Sequence, residues 1–203
     1  MNYRFAYTIG FHPWEDAATD PPFVKKISEV LAREEQGHEK PFGRALDVGT
    51  GSGIWGIELA KRGWHVTGVD IIDKALQRAR ERVGSAGVDM RVVAGDITSL
   101  DASDVGDGYE LILDTGTFHG FGVNEQRAMG RELNRIASHD ATILLLVWPK
   151  KIRPLIRGAS RGEVETAFPD WEISHVEPSY FTLPKVMELV LKPDEHWDRL
   201  RRK

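Results

Sequence analysis

The sequence of 203 residues has no cysteine. That absence removes a disulfide framework, a thiolate nucleophile, a cysteine zinc site and an iron–sulfur cluster together. Long apolar runs are missing too: no stretch approaches the roughly eighteen residues of a membrane-spanning helix, and Met1 to Gly10 holds a single Arg4 with no apolar signal core. A soluble cytoplasmic protein is the expectation. There is little excess charge of one sign, because 27 Lys+Arg stand against 31 Asp+Glu for a net −4, with no block of like charges. Nucleic acid and anionic membrane are therefore not expected partners, and a small molecule is. At roughly 150 residues per domain the length suits a single compact domain able to bury its own core.

What is present is a change of pattern near residue 44. Residues 1–43 read as an N-terminal lid segment and helix. Asp20-Pro21-Pro22 is a helix-start signal, and Phe23, Ile27, Val30 and Leu31 share one helical face before the chain turns polar from Gly37 to Gly43. Ahead of that helix, Phe11-His12-Pro13-Trp14 is aromatic but aperiodic, as a covering segment would be. Residues 44–203 alternate short apolar runs with amphipathic helices. Strands are expected at Ala45–Val48, His65–Val69, Met90–Ala94, Tyr109–Leu113 and Ala141–Trp148. Helices are expected at Ile54–Arg62, around Ala75–Ala86, and at Asn124–Ser138. This β-α alternation predicts an α/β fold, a doubly wound, mostly parallel sheet with helices on both faces. After a helix at Arg161–Phe168, the runs Trp171–Val176 and Lys185–Leu191 lack a crossover helix between them and predict an antiparallel edge pair, with Arg199 to Lys203 as a solvated tail.

The sharpest local signal is Asp47-Val48-Gly49-Thr50-Gly51-Ser52-Gly53, between the first strand and the first following helix. Glycines at alternate positions allow a tight turn and a close ligand approach, which implies an adenosine-type cofactor. Gly51-Ser52-Gly53-Ile54-Trp55-Gly56 also satisfies G-x-G-x-x-G, so the loop alone does not separate a nicotinamide cofactor from other adenosyl ligands. Asp70, about twenty residues on at the end of the second strand, can accept both ribose hydroxyls. Asp96, after the third strand, can accept an adenine amine, and Ile71 and Ile97 can flank the ring. Helix capping is the alternative for either acid.

These motifs resemble those of the class I S-adenosylmethionine-dependent methyltransferases over about Arg44 to Val147. The resemblance implies a Rossmann-like sheet of seven strands with the last antiparallel. It also implies Asp47 and the glycines at the methionine end of the cofactor, Asp70 at the ribose, and Asp96 with Ile97 at the adenine. Asp114-Thr115-Gly116-Thr117-Phe118-His119-Gly120-Phe121 is similar to the D-x-G-x-F-H-x-F segment of small bacterial small-molecule methyltransferases of the tellurite-resistance and thiopurine types, and Pro13-Trp14 resembles an element ahead of their cofactor domain. Ser138-His139-Asp140-Ala141 departs from the Pro-Gly-Gly that many relatives carry before the fifth strand.

Ligands in open α/β sheets lie beyond the carboxyl ends of the strands, which puts Asp47, Asp70, Asp96, Asp114 and His119 on one rim. Cofactor contacts are thus expected from Asp47, Gly49, Thr50, Gly51, Gly53, Asp70, Ile71, Asp96, Ile97 and Asp114. His119, with an ordinary imidazole half-available near neutrality, is the candidate catalytic base, and a packing histidine is its alternative. His12, Trp14, Phe118, Phe121, Trp148 and Tyr180 are candidate walls of an acceptor pocket, against the plain alternative of core. Asp114 with His119 offers two metal ligands and no convincing third, so no metal is expected. Arg153, Arg157 and Arg161 read as a solvated face. The expected activity is methyl transfer to an oxygen, sulfur or nitrogen of a small molecule. The alternatives are a non-catalytic S-adenosylmethionine-binding module and an NAD(P)-dependent reductase, the latter without the Tyr-x-x-x-Lys pair of short-chain reductases.

Overall fold

The computed structural model describes residues 17–100, 105–149, 157–180 and 195–203. Along the chain run α1 (Pro21–Glu35), β1 (Arg44–Val48), α2 (Ile54–Arg62), β2 (His65–Asp70), α3 (Asp73–Ala86), β3 (Met90–Ala94) and β4 (Tyr109–Asp114). They are followed by α4 (Val123–Ile136), β5 (Ala137–Val147), α5 (Arg161–Ala167), β6 (Trp171–Pro178) and β7 (His196–Arg202). The seven strands form one sheet in the order β3-β2-β1-β4-β5-β7-β6. β1 to β5 pair in parallel, and β7 runs antiparallel to both neighbours, β5 and β6.

The order reverses direction beside β1, so the connections leaving β1 and β4 diverge and open a crevice at their carboxyl ends. Because both sheet faces are covered, Ile143 to Val147 of β5 read as unbroken apolar sequence while their side chains still alternate. Ile143, Leu145 and Val147 enter the core under α4 and α5, and Leu144 and Leu146 enter the core under α1 and α2. Among the described residues no helix is long and apolar enough to cross a membrane.

α1 belongs to this second layer. Phe23, Ile27, Val30 and Leu31 are all buried against Ala45, Leu113, Leu146 and Trp197, and Phe23 stacks on Trp197 with ring centroids 6.1 Å apart. At about 1.5–3 kcal/mol per buried side chain, the helix contributes roughly 6–12 kcal/mol of gross apolar stabilisation, before entropy. Polar clamps fix its register. Glu34 accepts two hydrogen bonds from Arg199, 2.6 Å from Nε and 2.8 Å from Nη2, and Glu177 accepts from both Lys26 and Arg33 Nη1, the latter at 2.7 Å.

Two sequence expectations change. The antiparallel strand contains the stretch read as a tail: Arg199 to Arg202 lie in β7, while Lys185–Leu191 falls outside the described residues. Sequence periodicity missed β7 because its arginines find hydrogen-bond partners far away in the chain. Arg199 meets Glu34, Arg201 meets Thr142, and Arg202 meets Asn134 across 2.7 Å. Second, α4 passes into β5 at Ile136/Ala137, so Ser138-His139-Asp140 is strand rather than turn. Arg157 and Arg161 are exposed, as a solvated face requires, with Arg161 donating to the exposed Glu165 at 2.8 Å, and Arg153 lies outside the described residues.

Candidate active site

At the end of β1 the chain cannot continue straight, because α2 must start over the sheet edge. Gly49, Gly51 and Gly53 take φ of +62°, +54° and +81°, left-handed values that a side chain would oppose. Gly49 is further constrained by space: a Cβ there would sit 2.0 Å from Thr117 Oγ1. The turn is stitched to β2 and to itself. Thr50 N–H donates to the Val69 carbonyl at 3.0 Å, Gly53 N–H to the Thr50 carbonyl at 2.8 Å, and Gly51 N–H to Asp70 Oδ2 at 2.9 Å.

Asp47 lies beneath this turn, 1 % exposed. Its Oδ2 accepts from Thr50 Oγ1 at 2.6 Å, while Oδ1 is buried without a hydrogen-bond partner. Burial pushes its carboxyl up to about 7; the Thr50 hydroxyl and Gly56 N–H oppose the rise, and the carboxylates of Asp114 and Asp70 add to it. Asp70, at the end of β2, is also raised, by burial first, and its Oδ1 accepts Ile72 N–H at 2.9 Å. Ile71 N–H also bonds this carboxylate, so of its about four lone-pair sites roughly one stays open for a hydroxyl.

Asp96 Oδ1 accepts from the N–H and the hydroxyl of Thr98, at 2.9 and 2.7 Å, an Asx-type turn that also aims the residue at the rim. Its two possible neighbours diverge. Ile71 is half exposed, whereas Ile97 is buried with Val69 and Leu100 in the core.

Asp114 is more deeply committed than its neighbours. Fully buried, it accepts three backbone N–H groups, from Gly116 at 2.7 Å, Thr117 at 2.6 Å and Phe118 at 2.8 Å. Burial still lifts it to about 6 against those three donors. Expected as a cofactor contact, it also anchors the loop that follows β4 through these three N–H groups. That loop carries Thr117, whose hydroxyl donates to the Val48 carbonyl at 3.3 Å, so the glycine turn and the His119 segment are braced together.

His119 Nδ1 is 3.1 Å from the Leu146 carbonyl, which makes that nitrogen the donor and leaves Nε2 as an acceptor. Burial pushes its pKa down to about 4 against the help of that carbonyl. The half-titrated imidazole expected from sequence is thus replaced by one that is neutral throughout the physiological range: a hydrogen-bond acceptor always in its basic form. Its ring lies 6.3 Å from that of Trp148, centroid to centroid. Asp114 and His119 are committed to backbone partners, and among the described residues no group of three or more His, Asp or Glu side chains is arranged to hold a metal.

Of the expected pocket aromatics, Phe118 is fully buried in the core against Phe168, ring centroids 5.6 Å apart, because the Asp114 anchor turns it inward. Phe121 is partly buried on the same cluster, and Trp148 reaches the rim beside His119. Tyr180 is exposed, at φ +59°, with the Lys26 ammonium 5.7 Å from its ring centre. His12 and Trp14 lie outside the described residues. Sequence reasoning missed Gln126, which donates to the Phe118 carbonyl at 3.3 Å, and Glu195, a buried acid at the start of β7. A glutamine inside an amphipathic helix and an acid in a Pro-Asp-Glu-His run carry no local signal of burial.

Known proteins share this fold and part of this sequence. Residues 45–140 match the family described as a methyltransferase domain. That stretch of the chain is a methyltransferase domain. It is 30% identical over 119 residues to EEF1A lysine methyltransferase 2 of Homo sapiens, covering 57% of this chain and 50% of that protein. The fold of this methyltransferase domain is shared with a TehB-like SAM-dependent methyltransferase from Corynebacterium glutamicum (TM-score 0.66, 18% identity, 99% of this chain and 94% of that one). Magnesium protoporphyrin IX methyltransferase from Synechocystis with bound SAM superposes as well (TM-score 0.70, 17% identity, 88% and 79%). The chain spans half the length or less of the curated relatives it matches.

Proposed function

We propose that the protein transfers a methyl group from S-adenosylmethionine to an oxygen, sulfur or nitrogen of a small molecule. The observation that carries this reading is the turn over Asp47: a left-handed glycine bend, a buried carboxylate oxygen without a partner, and two further acids on the same rim. S-adenosylmethionine supplies an activated methyl on a sulfonium, and it brings two cations, the sulfonium and the α-ammonium, to a site whose carboxylates are held high for want of one. In this reading Asp47, Gly49, Thr50, Gly51 and Gly53 surround the methionine end. Asp70 takes a ribose hydroxyl, and Asp96, Ile71 and Ile97 border the adenine. Asp114 acts through the loop it anchors.

For the acceptor, the protein supplies orientation and water exclusion. His119 Nε2 accepts a hydrogen bond from the acceptor's O–H, S–H or N–H, which would hold that atom toward the cofactor's methyl, and the proton the acceptor loses on methylation would pass to solvent. A neutral imidazole with a pKa of about 4 is a weak base, so it orients the acceptor more than it removes the proton. Phe121 and Trp148 form the apolar side of the pocket. A net charge of −4 supports a small acceptor over a nucleic acid. The likeness to a protein-lysine methyltransferase supports a second reading, a lysine side chain as acceptor.

The test is a thermal melt with S-adenosylmethionine, S-adenosylhomocysteine, NAD and NADP, followed by methyl transfer to small phenols, thiols and amines and to a protein extract. A ligand at a hundredfold excess over Kd stabilises by about 2.7 kcal/mol, roughly 5–10 °C in a chain of this size. The expected result is a rise with the two sulfur ligands alone, absent in Asp70→Ala, and transfer to a small molecule. A rise with NAD or NADP alone refutes the cofactor, and transfer to protein alone refutes the acceptor class.

A further inference from the structure

Three chain segments end one residue past the same rung of the sheet. Val147 of β5 and Pro178 of β6 both pair with His196 of β7, so Trp148, Ser179 and Glu195 emerge together. Because β7 is antiparallel, its first residue lies at the rim where the parallel strands end, the rim that carries His119. Glu195 is only 6 % exposed there, and Ser179 only 1 %. Its backbone carbonyl accepts Ser179 N–H at 3.1 Å, its Oε2 accepts the Ser179 hydroxyl at 2.8 Å, and its carboxyl is also hydrogen-bonded to the Trp148 side chain. The indole has one donor and no acceptor, so that bond runs from Trp148 Nε1–H to the carboxylate. Trp148 in turn lies against His119.

We propose that Glu195 is the positioning residue of the acceptor pocket: its carboxylate, held by Ser179, fixes the Trp148 indole beside His119. This rests on the methyltransferase reading only for the word acceptor; the linkage from Glu195 through Trp148 to His119 stands on the geometry.

A purely structural bridge between a serine and an indole does not need a charge, since a neutral amide oxygen accepts the same two bonds without the cost of burying an anion. Here the acid is buried with no ion pair among the described residues. Its pKa is pushed up to about 7, by burial first, against the lowering by Ser179 and Trp148, and Asp20 just ahead of α1 pushes it further the same way. His196, next in the chain, faces Asp198 at 3.4 Å. Glu195 therefore changes charge near neutrality. When it takes up a proton, one oxygen becomes a donor and the acceptor strength toward the indole falls, so the wall beside His119 loosens as the pH drops.

Protein labelled at the indole nitrogens and histidine rings tests this by nuclear magnetic resonance, with Trp148 assigned through Trp148→Phe and His119 through His119→Gln. The expected result is a Trp148 indole N–H resonance that titrates with a midpoint of about 7, and a His119 ring proton that follows the same midpoint although His119 itself stays neutral. Both transitions disappear in Glu195→Gln. Should that variant fail to fold, Ser179→Ala decides: it removes a hydrogen bond that lowers the Glu195 pKa, so both midpoints should move upward together, whereas transitions driven by Asp47 or Asp114 would stay in place and overturn the proposal. A Trp148 or a His119 resonance unmoved between about pH 5 and 8.5 overturns the proposal, as does a transition that persists in folded Glu195→Gln. Failure of the methyltransferase reading appears separately, as a melt that neither S-adenosylmethionine nor S-adenosylhomocysteine raises.

Discussion

Gly49→Ala tests the joint between the cofactor turn and the His119 loop. Two independent costs meet at this residue. A side chain at φ +62° is opposed by about 1–2 kcal/mol of backbone sterics, and a Cβ 2.0 Å from Thr117 Oγ1 must be relieved by movement, which in packed protein costs about 1–3 kcal/mol. Together they predict a loss of about 2–5 kcal/mol, or roughly 4–20 °C in melting temperature at this chain length. Thr117→Ala alone removes the hydrogen bond to the Val48 carbonyl and costs about 1 kcal/mol. It also removes the clashing oxygen, leaving the nearest atom, the Thr117 Cβ, at 3.3 Å from the new methyl. The double variant should therefore be less destabilised than the two losses added together, with a coupling of about 1–3 kcal/mol. Denaturant melts of the four proteins measure it. A coupling under about 0.5 kcal/mol refutes the close approach, and a Gly49→Ala protein that melts with the wild type refutes the left-handed turn itself. Stabilisation by S-adenosylmethionine should vanish in both Gly49 variants and persist in Thr117→Ala.

His119→Gln, which keeps an acceptor, should retain more methyl transfer than His119→Ala, which should fall at least about tenfold with cofactor binding unchanged; equal activity in all three proteins removes His119 from the reaction. Asp47 and Glu195 near 7 and Asp114 near 6 hold their protons more tightly folded than unfolded, so their stabilisation is full in acid and is lost as pH rises through those values. His119, lowered to about 4, acts in the opposite sense, withdrawing stability as pH falls below its ordinary 6.5. Melts between about pH 4 and 7 should therefore decline with rising pH and level off above, less steeply in Asp47→Asn, and an equal slope in the variant refutes the burial argument. Gly130→Ala drives a Cβ to within 1.9 Å of the Ala167 carbonyl and should destabilise by about 1–3 kcal/mol. Gly84→Ala, with nothing within 4 Å, should stabilise by up to about 1 kcal/mol.

The class of fold and the cofactor rim were determined by local chemistry. Alternating glycines have few uses between a strand and a helix, acids at successive strand ends fall on one edge by the geometry of parallel sheets, and the apolar faces of α1 to α4 repeat at helical spacing. Tertiary structure decided the rest, for physical reasons visible at single residues. Arg199, Arg201 and Arg202 read as a solvated tail until Glu34, Thr142 and Asn134, dozens to more than a hundred residues away, give them partners in β7, a strand paired on both sides. Asp114 reads as one more rim acid until three N–H groups converge on it. His119 carries an ordinary pKa in sequence and one of about 4 in the fold, because only packing can strip its water. Residue types and spacing act locally and survive in the sequence; desolvation and distant hydrogen-bond partners exist only once the chain has closed on itself.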